Sequence, residues 1–204
     1  MSMDRLIERI DAMKNPSVAG LDPRLEYVPQ YIQDAAFVKK GRTLESAADA
    51  ILVFNKALID ALCDVVPAIK PQAAYYEMYG WAGVRTLTET IRYAQEKGMY
   101  VMTDGKRNDI GATMTAYATA HLGKTEVGGV ELEPFGADAL TVNGYLGTDG
   151  IQPLLEWLFL RKRPDRRLAV ALVLCTVGMG LMTLNGALRP ALGDIICLLC
   201  AVAY

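Results

Sequence analysis

The sequence predicts an α/β fold built on a parallel sheet, and three observations carry that expectation. Short β-rich runs alternate with longer stretches of helical period. The repeat is roughly 30 to 50 residues, about what successive βαβ crossovers need. Polar residues gather at the C-terminal ends of the apolar runs, namely Asp22, Lys70, Asp104 with Lys106, and Asn143. Parallel strands are buried on both faces, so charges there carry information. The pattern leaves a β/α barrel and a doubly wound sheet both open. No GxGxxG follows the first strand, which counts against a dinucleotide-binding module.

The elements follow in order. MSMDRLIERIDAMKN alternates charged and apolar residues at helical spacing and lacks the apolar core of a signal peptide, so a cytoplasmic start is expected. SVAGLDP (Ser17–Pro23) is a short strand closed by a turn-forming Asp-Pro. Thr43–Asp64 is an amphipathic helix, with Thr43 and Ser46 as cap residues. Val65–Gln72 is the next strand, and Thr86–Gly98 a helix ending on a glycine stop. Met99–Arg107 is a strand with polar residues at its far end. A helix around Thr113–Leu122 and a strand over Ala137–Tyr145 complete the series.

Composition narrows the function classes. The 204 residues carry 21 Lys+Arg against 23 Asp+Glu, a net charge of -2, which argues against a nucleic-acid binder. With 52% hydrophobic residues the chain has ample apolar surface to bury, which excludes a disordered protein. The four cysteines are too few and too unevenly placed for a disulfide scaffold.

Asp104 and Lys106 are two apart, so on an extended chain their side chains share one side. Lys70 from the neighbouring strand can join them, and Asp109 follows in the loop. The result is an alternating Lys–Asp–Lys–Asp cluster at the strand ends where barrel active sites sit. Solvated rim charges are the plain alternative for any one pair. That alternative weakens when four strands each end on a polar residue. His121 is the lone histidine and lies on a predicted helix, so it reads as structural, and no metal site is expected. Cys197 and Cys200 have redox-motif spacing but sit in an apolar run and read as packing. Tyr75, Tyr76 and Tyr79 read as wall or core, and Gly128 with Gly129 as loop punctuation.

GLDP at Gly20–Pro23, IKPQAAYYE at Ile69–Glu77 and TDGKRNDIG at Thr103–Gly111 resemble the orotidine 5'-phosphate decarboxylase family, in the wording of its longer bacterial branch. The DGKRNDI match to Asp-x-Lys-x-x-Asp-Ile is highly specific. The resemblance covers about residues 1–153 and implies the first half of a TIM-type (β/α)8 barrel. It implies a lyase of pyrimidine synthesis that converts orotidine 5'-phosphate to uridine 5'-phosphate and carbon dioxide with no cofactor and no metal. Carried over by position, the catalytic tetrad falls on Lys70, Asp104, Lys106 and Asp109. Lys106 would donate the proton to pyrimidine C6. Asp104 would stand beside the substrate carboxylate, and Lys70 would hold Asp104 and a ribose hydroxyl. Asp22 would bind the ribose, and Asn143 is a further substrate-binding candidate at a strand end. Asp109 matches a residue that reaches into a neighbour's site, with Ile110 and Thr113 travelling alongside, so a homodimer is implied.

Beyond Arg167 the character changes, since from Leu168 to the end only Arg189 and Asp194 are charged. Residues 154–204 therefore read as an apolar, helical tail. They resemble a piece of the drug/metabolite (EamA-like) transporter family. Leu168–Leu188 is about 21 residues, or about 31 Å as a helix, enough to cross a bilayer core. The five basic residues of Arg161–Arg167 would keep that end cytoplasmic. The competing reading makes LAVALVLC a buried fifth strand after a helix at Ile151–Leu160. A second segment, Ile195–Tyr204, is too short to span. On the tail reading the second half of the barrel is missing, and weak or absent turnover is expected. The alternative function is an inactive membrane-associated fragment with transporter-like helices.

Overall fold

The computed structural model describes residues 2–147 and residue 151. The tail, including Leu168–Leu188, Ile195–Tyr204 and the three cysteines Cys175, Cys197 and Cys200, lies outside the described residues. No helix among the described residues is long and apolar enough to cross a membrane. Two compact units are distinguished, one within Met1–Arg107 and Thr119–Val142, the other of Asn108–Ala118 with residues from Asn143 onward.

The first unit holds a four-stranded parallel sheet of β1 (Val18–Leu21), β2 (Ala68–Pro71), β3 (Tyr100–Arg107) and β6 (Ala139–Val142), in the order β1-β2-β3-β6. Each strand pairs with the next parallel strand in the chain, and the winding never reverses. A doubly wound sheet reverses at a switch strand. These four strands have none, as the barrel reading expects.

The crossovers are helical. Helices α2 (Gln30–Lys40) and α3 (Leu44–Leu62) follow β1. Helices α4 (Ala74–Glu77) and α5 (Gly80–Glu96) follow β2, and α6 (Gly111–Leu122) follows β3. Thr43 caps α3 as expected: its hydroxyl accepts from the Ser46 amide at 3.1 Å while the Ser46 hydroxyl accepts from the Thr43 amide at 3.0 Å. Helix α5 begins six residues before the predicted Thr86, at Gly80. Gly83 permits that start, because a Cβ there would stand 1.8 Å from the Tyr76 carbonyl oxygen of α4. Helix α2 and a hairpin, β4 (Thr125–Val127) and β5 (Val130–Leu132), are not foreseen from the periodicity. Gly128 and Gly129 form the hairpin turn with φ of 60° and 84°, the left-handed conformation that tight hairpin turns require.

Alternation along the strands assigns the two faces of the sheet. Ile69 and Val101 join the main core with Ile51, Ile59, Leu87 and Ile91 of α3 and α5. Ala68 and Tyr100 face the other way and pack with Leu6 of α1 (Ser2–Met13), beside Met102 and Ala139. Helix α1 is tied beneath this face, where Arg5 Nη2 donates to the Met99 carbonyl at 3.1 Å and to Asp138 Oδ2 at 2.8 Å. One step further along each strand on the same face come Lys70, Asp104 and Thr141. The face is therefore apolar at its foot and polar at its C-terminal end.

His121 is structural, as expected. It is 3% exposed and stacks on Phe135 with ring centroids 4.6 Å apart. Burial, with a smaller push from the positive charge of Arg107, lowers its pKa to about 4. In the unfolded chain the ordinary value is near 6.5, so between those two values the unfolded state binds more protons. Stability is then expected to fall as pH drops from about 6.5 to 4, by up to about 3 kcal/mol from this residue. Urea unfolding across that range, compared with His121→Phe, checks this. The variant should lose that part of the slope, and an identical slope would refute the assignment.

Candidate active site

Four donors converge on one carboxylate at the C-terminal end of the sheet. Lys70 Nζ of β2 donates to Asp104 Oδ2 at 2.7 Å, and Gln72 Nε2 donates to the same oxygen at 2.9 Å. Lys106 Nζ donates to Oδ1 at 2.6 Å, and the Thr141 hydroxyl of β6 donates to Oδ1 at 2.6 Å. Both oxygens are thus doubly engaged. The Asp104 side chain is only 8% exposed, against 32% for Lys70 and 63% for Lys106. Burial by itself would raise the carboxyl pKa. The hydrogen bonds from Lys106, Lys70 and Thr141 and the charge of Lys70 outweigh it, holding Asp104 well below the usual carboxylate range.

Asp104 and Lys106 do meet, but the extended chain is not the reason. Lys106 has φ 47°, one of two non-glycine residues with positive φ among the described residues. The pairing of β3 with β6 shifts register between Thr103 and Arg107 at the same place. The left-handed residue at this irregularity turns the lysine back onto the carboxylate two positions earlier. A period-two reading foresees the side and misses the turn.

The remaining candidates fall differently. Asp22 follows β1 directly and is exposed. Asp109, Ile110, Thr113 and Asn143 belong to the second unit. There Asp109 Oδ1 accepts from the Ile110 amide at 2.7 Å, and Ile110 and Thr113 are exposed. The predicted strand over Ala137–Tyr145 ends early, at Val142. Asn143 instead caps a 3-10 turn, Gly144–Leu146, with Oδ1 accepting from the Tyr145 amide at 3.1 Å. Its side chain is committed to a turn in this structure. The structure thus joins Lys70, Asp104 and Lys106 directly.

Gln72 and Thr141 are site residues that the charge pattern misses, because neutral side chains give no signal in a search for strand-end charges. Gln72 was legible from its place two beyond Lys70. Thr141 became visible only with the β3–β6 pairing. Tyr76 and Tyr79 are buried in the main core, as expected. Among the described residues no three His, Cys, Asp or Glu side chains are placed to hold a metal ion.

Comparison with known proteins bears on the same residues. The model of the "Orotidine 5'-phosphate decarboxylase / HUMPS family" matches residues 44–184. The orotidine 5'-phosphate decarboxylase of Rhodopirellula baltica is 47% identical over 137 residues, covering 67% of this chain and 43% of that protein. That of Caldicellulosiruptor saccharolyticus is 37% identical over 153 residues, covering 75% and 50%. The solved OMP decarboxylase of Leishmania donovani superposes with a TM-score of 0.56 at 29% identity, over 76% of this chain and 49% of the other. The Plasmodium berghei structure, at 18% identity and TM-score 0.60, covers 74% and 55% and supports the fold alone. The chain spans about half the length of the relatives it matches. The family match runs on to residue 184 rather than stopping near Pro153.

Proposed function

Because the chain belongs to the orotidine 5'-phosphate decarboxylase / HUMPS family, we propose that it carries the decarboxylating half-site for orotidine 5'-phosphate, making uridine 5'-phosphate and carbon dioxide without a cofactor. The observation that carries this reading is the Lys70–Asp104–Lys106 arrangement, two ammonium groups on one nearly buried carboxylate. Breaking the bond from C6 to the carboxylate releases carbon dioxide and leaves an electron pair on C6. With no electron sink, that charge needs a cation already in place, and a preorganised ammonium costs no reorganisation. Lys106 supplies the cation and then the proton to C6, recovering its own from solvent. A guanidinium would hold its proton too tightly for this. Asp104 holds both lysines in place by ion pairs and stands beside the leaving carboxylate. Lys70 holds Asp104 and a ribose hydroxyl.

Asp22 is proposed to bind the ribose. Asp109, with Ile110 and Thr113, is proposed to complete the site of a second copy in a homodimer. Asn143 is proposed to contact the substrate on release from its cap. The substrate is a small nucleotide, and no nucleic-acid partner is proposed. The family match takes in most of Leu168–Leu188, which supports assigning this stretch to the decarboxylase-like part. Membrane contact and transporter-like helices gain no such support, and the first 153 residues are proposed to work in the cytoplasm.

The test is uridine 5'-phosphate formation from orotidine 5'-phosphate by the purified chain, alone and at concentrations that favour dimers. Weak product formation, abolished in Lys106→Ala, is expected. Failure both to form product and to bind uridine 5'-phosphate would overturn the reading.

A further inference from the structure

Thr141 makes two hydrogen bonds with different consequences. Its hydroxyl donates to Asp104 Oδ1 at 2.6 Å and accepts from the backbone amide of Lys106 at 3.1 Å. The second bond occurs where the main-chain ladder fails. β3 and β6 are in register at Met102↔Ala139 and Thr103↔Leu140, then again only at Arg107↔Val142. Inside that gap the Lys106 amide is served by a side chain. The residue it belongs to is the lysine with φ 47°, a conformation that persists only where its surroundings hold it.

We propose that Thr141 is a positioning residue for the decarboxylation proposed above, on which reading this inference rests. It clamps the Lys106 backbone in the left-handed turn and orients the Asp104 oxygen that receives the Lys106 ammonium. One side-chain atom must accept from one partner and donate to another, which a hydroxyl does and a methyl cannot. Threonine suits the place better than serine, because β-branching restricts χ1 and favours a strand.

The experiment compares Thr141→Val and Thr141→Ser in the full chain by two measurements. The first is amide hydrogen exchange at Lys106. The valine variant should exchange about tenfold faster there, and the serine variant close to the parent. The second is steady-state decarboxylation. Here kcat should fall about 10- to 100-fold for valine, as expected for loss of a hydrogen bond to a charged group, with KM within about threefold and serine restoring most of the rate. Unchanged Lys106 exchange in the valine variant overturns the proposal, and so does faster exchange with undiminished kcat. If the parent has no turnover, faster exchange in valine but not serine still supports the clamp, while the missing turnover counts against the decarboxylase reading alone. Should the valine variant not fold, Thr141→Ala gives the same two readings.

Discussion

Lys106→Ala is expected to lower turnover of orotidine 5'-phosphate by at least about 100-fold, the lower end of what a positioned proton donor contributes. The loss should exceed that, since the same ammonium also stabilises the charge forming on C6. Folding should be nearly unaffected, because the side chain is 63% exposed and buries little apolar surface. The measurement is single-turnover product formation alongside a urea midpoint. Retention of a tenth of the parent rate, in a variant that folds, would exclude the proton-donor role.

Asp104→Asn is expected to damage both activity and stability. Four donors meet the two carboxylate oxygens, and an asparagine presents only one acceptor oxygen to them. Two donors therefore lose their partner, and the ammonium groups of Lys70 and Lys106 lose the anion between them. Truncating a fully buried ion pair costs about 3 to 5 kcal/mol. Lys106 is largely exposed and its share is screened, so about 2 kcal/mol is the expected loss. Turnover should fall by about 100-fold or more, because both lysines are displaced.

The pH dependence separates this effect from general damage. The folded-state pKa of Asp104 is depressed, so its stabilisation is present above the ordinary carboxylate value near 3.8 and is lost as pH falls through the folded value. The stability gap between parent and variant should be flat from about pH 5 to 8 and shrink below about pH 4. A gap that stayed constant down to pH 2 would show that the lost stability does not come from the charge.

The strand-ending motifs and the helical periods of this sequence are local properties, and a reader of the chain finds them without a structure. Thr43 and Ser46 announce the start of α3 because capping depends on residues three apart. Lys70 and Asp104 announce the site because charge at the end of a buried strand has no role in packing. Helix α2 escapes that reading because its apolar face is weakly marked, with Ile32 its one buried side chain. The early start of α5 escapes it because the space for Gly83 is set by the Tyr76 carbonyl on another element.

The site divides in the same way. Its residue types and order were determined by the sequence alone, including which lysine stands two residues from the aspartate. Tertiary structure decided how they meet. The shift of β6 against β3 gives Lys106 its left-handed turn and brings Thr141 to its amide. Strand register and backbone handedness arise from pairing between segments some 35 residues apart, as in the Lys106–Thr141 bond. No periodicity within one segment encodes that pairing.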